Sequence, residues 1–291
     1  MEAVTAVQLT KTYGEVQAVR DLTLHVPQGG VFGLLGAQGA GKTTVIHMLC
    51  GLTKPTSGEC SVLGCSPAKD PAAVHAVCGV MLASARPYAH MTGQQNLLFF
   101  AQAAGMAEKA AERRVSELMK DLELWDERER PVSEYSTGML QKLSLARALV
   151  NYPSVLLLDE PTSGLDPVSR DELLSILAAY IEDGEHSVLF STHITEDLER
   201  AADYITYLRY GELVFSGSKE EFVNGFRMAK GGREELTPEL RSRAAGIRTF
   251  STGFEALIRA QDAAAFSHLE IEPASIDEIV VFTSKEGETH A

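Results

Sequence analysis

The chain has 291 residues, 45% of them hydrophobic, which suffices for one large domain or two modest ones with a real core and no need of disulfide staples. Its 26 basic and 40 acidic side chains give a formal charge of -14, which repels nucleic acid and anionic lipid at long range and argues against a polynucleotide as main partner. No run approaches the ~20 apolar residues that cross a bilayer. The opening MEAVTAVQLTKTYG, with an acidic second residue, lacks the pattern of a secretory signal or transit peptide. The sequence therefore predicts a chain soluble by itself.

In chain order, VTAVQLT and VQAVRDLTLHVP read as strands, and GVFGLLG is the near-continuous apolar run of a strand buried on both faces. A glycine-rich turn leads into a helix over KTTVIHMLCGL, and CSVLG and CGVML are again strand-like. From 84 to 150 the pattern becomes helical: NLLFFAQAAG, EKAAERRVSELMKDLEL and TGMLQKLSLARALVN place apolar residues at helical spacing with charge opposite. Met91, Phe99, Phe100 and Trp125 are predicted core residues of this insertion, and ERRVSE and RERPVSE are predicted solvated faces.

Alternation then resumes. SVLLLDE is a buried strand, followed by a helix with Asp166 as N-cap and Pro167 at its first position. HSVLFST is a strand, ITEDLERAAD a helix, and YITYLRYGELVFSG a hairpin turning at Gly211. This order predicts a mostly parallel sheet covered by helices. Ser218 and Glu221 form a capping box. Beyond Phe226 the composition turns polar and glycine-containing, and the chain ends in a short strand and a helix whose stripe of Ile276, Ile279, Val280 and Phe282 requires burial. Cys50, Cys60, Cys65 and Cys78 lack zinc-site spacing and read as reduced, mostly buried side chains.

GAQGAGKTT, Gly36 to Thr44, fits G-x-x-x-x-G-K-[ST] at a strand-to-helix junction, the context that gives such a match meaning. Gly36, Gly39 and Gly41 let backbone N–H groups turn around a phosphate chain, with Thr44 in the helix start. Lys42 neutralises β and γ oxygens, and Thr43 offers a hydroxyl to Mg²⁺. VLLLDEP ends a buried strand in two carboxylates. Asp159 suits a magnesium shell, and Glu160 is placed to polarise a water toward the γ-phosphate. In YSTGMLQ, Ser136 to Gly138 open a helix whose free N–H groups suit an anion.

Taken in order, KTYG, the Gly36–Thr43 loop, YSTGMLQ, VLLLDEP, SGLD and STH resemble the ATP-binding subunit of ATP-binding-cassette (ABC) transporters over about the first three-quarters of the chain. The resemblance implies an α/β P-loop NTPase with a mostly parallel sheet, an N-terminal antiparallel β part, a helical insertion over 84–150 and a small C-terminal α+β region. The domains expected are 1–225 and 226–291. It further implies ATP and Mg²⁺ as ligands. Tyr13 would stack on adenine, Ser136 and Gly138 would reach the γ-phosphate held by a second copy, Asp166 would link the two sites of the dimer, and His193 would fix the γ-phosphate in the transition state.

The implied partners are a second ATPase copy and an integral membrane permease, with the chain peripheral on the cytoplasmic face. Arg86, Tyr88 and His90 lie where the family receives that permease. A cassette acting on ribosomes or DNA is disfavoured by the acidic balance, the single cassette and the absence of a coiled-coil insertion or basic linker.

Several positions depart from the family's pattern. Ala37-Gln38 replaces Pro-Asn, and Tyr135-Ser136-Thr137-Gly138-Met139 replaces Leu-Ser-Gly-Gly-Gln. The latter, with MTGQQNL and ASIDEIVVFTSKE, is similar to the branch serving drug, lantibiotic and bacitracin-type exporters. Ala83 aligns with a family Gln or Glu that meets the metal and attacking water. A methyl group ligates nothing, but magnesium readily keeps waters in its shell. Because Lys42, Thr43, Asp159, Glu160 and His193 remain, the sequence predicts a working ATPase with one weakened contact, over a nucleotide-gated module with vestigial hydrolysis.

Overall fold

Two long N-terminal segments alternate buried and exposed residues and pair as antiparallel strands, β1 (Glu2–Tyr13) with β2 (Val16–Pro27). β4 (Ser57–Val62) joins the other edge of β1, giving the order β2-β1-β4. β1 is long because it bends: its register shifts between Ala6 and Leu9, where Gln8 has φ 48°, as a bulge demands. The computed structural model describes residues 2–284.

The second sheet has the order β5-β6-β7-β3-β8-β9, formed by β5 (Cys78–Met81), β6 (Val155–Asp159), β7 (Ser187–Thr192), β3 (Val31–Leu35), β8 (Tyr204–Arg209) and β9 (Glu212–Ser218). The first five are parallel. Every residue of β3, β6 and β7 is buried, which explains the apolar run of each, with polar residues only at the ends of β6 and β7. β9 folds back beside β8 through Tyr210 and Gly211, both left-handed with φ 51° and 80°, the backbone of a tight two-residue hairpin.

Between the sheets lies α1 (Lys42–Leu49), whose Val45, Ile46, Met48 and Leu49 join Leu9, Leu24, Leu34 and Leu157 in one apolar core. Helix α2 (Pro71–Val77), capped by Asp70, precedes β5. The insertion consists of α3 (Gly93–Ala103), α4 (Glu108–Asp121) and α5 (Thr137–Leu149), which pack on one another and, through α5, on β5. A Thr92–Gln95 capping box starts α3. Helix α6 (Pro167–Tyr180) follows β6, and α7 (Thr195–Ala201) follows β7. Leu198 of α7 fills the space above Gly33, where a Cβ would meet its Cδ2 at 2.0 Å.

The insertion's aromatic residues differ from the sequence expectation. Phe99 is exposed and forms edge contacts with Tyr88 and Phe100, while Met91 and Phe100 are half-buried. Trp125 is half-buried outside the core, with Lys120 and Arg128 against its ring at 4.9 and 4.3 Å. Arg114 of ERRVSE, read as solvated, instead donates to the Leu149 carbonyl at 2.7 Å and covers the Tyr152 ring. Periodicity assigns these residues to a helix face, but a long cation with an apolar stem can cover that face as well as a neighbouring helix can.

The chain divides into two compact units, Met1–Ser216 and Gly217–Ala291. The sequence border falls nine residues later than this structural one because α8 (Lys219–Asn224), with its Ser218–Glu221 capping box, packs on β10 and α10 of the second unit. That unit contains β10 (Phe226–Gly231), α9 (Pro238–Arg243), β11 (Ala244–Thr249), β12 (Phe254–Arg259), β13 (Glu270–Pro273) and α10 (Ile276–Ser284). Its antiparallel sheet, in the order β11-β12-β10-β13, carries a separate core with Ala229, Leu240, Phe254, Ala256, Ile258 and Phe266. Ile276, Ile279 and Phe282 of the terminal stripe are buried and Val280 is half-buried. Lys285 and Glu286, which close the quoted terminal motif, lie outside the described residues.

Cys50, Cys60 and Cys78 are buried, Cys65 is half-buried, and none forms a disulfide. Burial pushes the Cys60 and Cys78 thiols up to about 11 and about 12, so they act as small apolar side chains. Among the described residues no helix is long and apolar enough to cross a membrane.

Candidate active site

In the parallel sheet, Leu35 at the end of β3 pairs with Thr192 of β7, and Asp159 at the end of β6 pairs with Ser191. Three consecutive strands therefore deliver the glycine loop, the Asp159-Glu160 pair and His193 side by side. The cleft opens at the carboxyl ends of parallel strands, where such sheets form ligand sites. It has a volume of about 470 Å³ and is lined by Gln38, Gly39, Gly41, Lys42, Thr43, Thr44, Ala83, Asp159, Glu160, Ser163 and His193, with Ala18 at its edge.

The glycine loop is shaped for close backbone approach. Gly41 has φ 103°, and a Cβ there would stand 2.5 Å from the Ala18 carbonyl oxygen. Any side chain at this position would strain the turn and push the strand away. Lys42 is buried, and its ammonium donates to the Gly36 and Ala37 carbonyls at 2.7 and 3.1 Å. The same nitrogen lies 3.3 Å from Glu160 Oε1. A cation held among carbonyls and one carboxylate, at a helix N-terminus, suits a polyphosphate.

Thr43 Oγ1 is 3.0 Å from both oxygens of Asp159, which is buried. A hydroxyl and a carboxylate, both hard oxygen donors, fit Mg²⁺, which Thr43 and Asp159 would hold. The Ser191 hydroxyl donates to Asp159 Oδ1 at 2.7 Å and accepts from the Glu160 N–H at 2.9 Å. Glu160 has φ 50°, a left-handed backbone that costs free energy for a residue with a Cβ and needs such an anchor. Its Oε2 meets His193 Nδ1 at 2.7 Å, and the imidazole is half exposed. The arrangement can orient a water with a carboxylate while a neighbouring imidazole faces the same space.

The cleft gathers Gly39, Gly41, Lys42, Thr43, Thr44, Asp159, Glu160 and His193, with the Gly36 carbonyl behind them accepting from the Lys42 ammonium. Tyr13, Ser136, Gly138 and Asp166 do not line it. Tyr13 is 47% exposed, with Lys11 Nζ 4.8 Å from its ring centroid. Ser136 caps α5 by accepting the Met139 N–H at 3.2 Å. Asp166 caps α6, accepting from the Val168 and Ser169 N–H groups and the Ser169 hydroxyl. Those bonds, the Ser169 hydroxyl first, hold its carboxyl below the ordinary value.

Ala83 faces the cleft and also a neighbouring cavity of about 330 Å³ that contains Thr137, Gln141 and Ser144 of α5. Asp159, Glu160 and Ser163 line both spaces. Sequence reasoning missed Ser163 and Ser191, although each lies inside a quoted motif, SGLD and STH. Ser191 acts through the β6–β7 register and Ser163 lies in the turn that follows β6, neither of which a local pattern encodes.

The "ABC transporter" family model matches residues 19–163. The ABC transporter ATP-binding protein NatA of Bacillus subtilis (strain 168) is 34% identical over 213 residues, covering 73% of this chain and 86% of NatA. The chain belongs to the ABC transporter family. It is also 36% identical over 206 residues to the bacitracin transport ATP-binding protein BcrA of Bacillus licheniformis, covering 71% of this chain and 66% of BcrA. The match to BcrA thus spans just under two thirds of that protein's length. The daunorubicin/doxorubicin resistance ATP-binding protein DrrA of Streptomyces peucetius is 35% identical over 213 residues, covering 73% of this chain and 64% of DrrA.

A solved ATP-binding subunit of an ABC transporter superposes with a TM-score of 0.68 at 28% identity, covering 75% of this chain and 91% of that one. A dimeric cassette in a post-hydrolysis state with ADP and Pi gives the same TM-score at 24% identity, covering 74% and 98%. These likenesses establish the P-loop ATPase fold of ABC type, with its mostly parallel sheet and helical insertion, for this family member.

Proposed function

We propose that this chain is the ATP-hydrolysing subunit of an exporter, closing as a dimer around two Mg-ATP and driving a separate membrane permease that carries a drug, peptide or lipid-like substrate. The observation that supports this most is the convergence of Lys42, the Thr43–Asp159 pair, Glu160 and His193 in one cleft. In this reading Lys42 and the loop N–H groups bind the phosphates, and Thr43 and Asp159 hold the magnesium ion. Glu160 orients and polarises the attacking water, and His193 steadies both Glu160 and the terminal phosphate. Mg²⁺ supplies charge neutralisation at the phosphate oxygens.

The reading also assigns Tyr13 to the adenine, Ser136 and Gly138 to the nucleotide of the second copy, and Asp166 to the dimer interface. The permease would hold the chain at the cytoplasmic face, against the surface that carries Arg86, Tyr88 and His90. Residues 1–216 would form the motor, and 217–291 an accessory unit for dimer or permease contact.

Ala83 supports a second reading, a nucleotide-gated module whose hydrolysis is vestigial, because its methyl group supplies no ligand to water or metal. Steady-state phosphate release at saturating Mg-ATP, with and without the permease, separates the two. A motor whose shell is completed by water turns over slowly, and Ala83→Gln raises its rate by up to about a hundredfold, the size of one transition-state contact. No turnover beside the permease and no gain in the variant would leave only the gated module.

A further inference from the structure

Behind the cleft is a carboxylate that the phosphate site does not touch. Asp197 of α7 is fully buried, as are Thr162 and Thr192. Both threonine hydroxyls donate to the same oxygen of Asp197, Oδ2, at 2.6 and 2.9 Å. Thr162 stands two residues after Glu160, and Thr192 immediately precedes His193. Thr192 Oγ1 also accepts the Ile194 N–H at 2.9 Å, which shapes the turn that presents the histidine. One carboxylate oxygen therefore ties the loop carrying the water-orienting group to the loop carrying the imidazole.

The other oxygen, Oδ1, is buried without a hydrogen-bond partner, and so is Arg170 Nε, which lies 3.8 Å from it. Arg170 belongs to α6, one turn beyond the N-cap Asp166, and its other contact is an exposed pair with Glu196 at 3.3 Å. Burial pushes the Asp197 carboxyl above its ordinary value, against the pull of the two threonine bonds and Arg170. Two buried partners of opposite charge stopping short of a hydrogen bond are uncommon, because leaving such groups unmade is costly. A closure on the order of an ångström would complete the bond.

We propose that Asp197 is a positioning residue that locks the Glu160 and His193 loops together through Oδ2 and couples them to α6 through Oδ1, the Arg170 bond closing when the Asp166 end of α6 is seated against a second copy of this chain. The coupling to hydrolysis rests on the ATPase reading above. The tie itself does not.

Asp197→Asn separates the two halves of the device. Its carbonyl oxygen can still accept both threonine hydroxyls, while its amide N–H replaces the acceptor facing Arg170. In the full chain it should lower kcat at least tenfold and leave KM and direct ATP affinity within about twofold, a split expected of a contact made mainly on the way to the transition state. Arg170→Gln in the same chain should recover part of kcat, because a neutral amide pair replaces the mismatched one. Unchanged kcat in Asp197→Asn, or equal loss of kcat and ATP affinity with no recovery in the double variant, overturns the coupling. Amide hydrogen exchange on the full chain tests the tie without any turnover. Thr162→Val should raise exchange in both the 160–164 and 192–195 segments, whereas a rise confined to 160–164 overturns the tie. A parent chain that hydrolyses no ATP would remove the functional reading and the coupling with it, yet leave the exchange result to decide the tie.

Discussion

Lys42, Thr43, Asp159, Glu160 and His193 meet in one cleft and hold one another at 2.7 to 3.3 Å, whereas Tyr13, Ser136, Gly138 and Asp166 stay outside it. Among the described residues, the side chains of Ser136 and Asp166 hydrogen-bond at the starts of their own helices. The difference comes from what places each set. Asp159, Glu160 and His193 of the first set lie at the ends of adjacent buried strands, and Lys42 and Thr43 open the helix that follows the loop after the neighbouring strand β3, so strand register leaves the set little freedom. The second sits near a strand end and two helix starts and does not line this cleft, which fits the proposal that a second copy supplies part of the site. Breaking a member of each set should therefore give different signatures.

The largest effect belongs to Glu160→Gln. The amide preserves shape and can still bond His193, but it no longer accepts a proton from water, so turnover should fall by about a thousandfold. ATP binding should persist, and an ATP-bound dimer should accumulate on size exclusion. Parental hydrolysis rates in this variant would remove Glu160 from its assigned place.

Lys42→Ala acts on binding instead. It removes the buried cation from the phosphate space and leaves the Gly36 and Ala37 carbonyls without their donor. Charged hydrogen bonds contribute about 1.5–3 kcal/mol, so nucleotide affinity should drop roughly tenfold to a hundredfold. Direct titration with a labelled nucleotide measures this, and an unchanged affinity would contradict the glycine-loop assignment.

Ser136→Ala probes the outer set. The cleft of the same chain does not include Ser136, so affinity of isolated chains for ATP should stay within about twofold, while turnover of the dimer should fall about tenfold through loss of one neutral contact. The α5 cap is also lost, at about 1 kcal/mol, and a Ser136→Thr control keeps the cap. A drop in monomer affinity would show that Ser136 serves its own chain's nucleotide.

The inner set was legible in the sequence because each of its residues lies in a short motif at a strand end, and buried parallel strands announce themselves as apolar runs. Ala83 was legible only by resemblance, and its place beside Glu160 is a matter of tertiary register. Thr192, Thr162 and Asp197 were not legible as a group, because hydroxyls and a carboxylate up to 35 residues apart become partners only when β6 and β7 lie side by side. The second unit was the least readable part: its strands are short and interrupted by Gly231, Gly232 and Pro238, and β11 has no fully buried residue, so alternation gives little signal. Phe99 shows the converse error, an aromatic at core spacing that the fold leaves exposed.

The smallest expected effect, and the sharpest division of roles, comes from Asp166. Its carboxyl is held below the ordinary 3.8 by the Ser169 hydroxyl and the Ser169 and Val168 N–H groups, all of which favour the ionised form. A depressed carboxylate stabilises the fold fully above its unfolded pKa and loses that contribution as pH falls through the folded value. The melting-temperature advantage of the parent over Asp166→Ala should accordingly be constant from neutral pH down to about 5, then shrink below about 4. An advantage unchanged to pH 3 would mean that the cap does not depend on charge. Asp166→Asn completes the division, since asparagine caps a helix about as well as aspartate but carries no charge. At neutral pH it should melt close to the parent. If its turnover also equals the parent's, Asp166 serves only α6; if turnover falls while melting and monomer ATP affinity hold, the charge acts across the dimer, where the outer set of residues is expected to work.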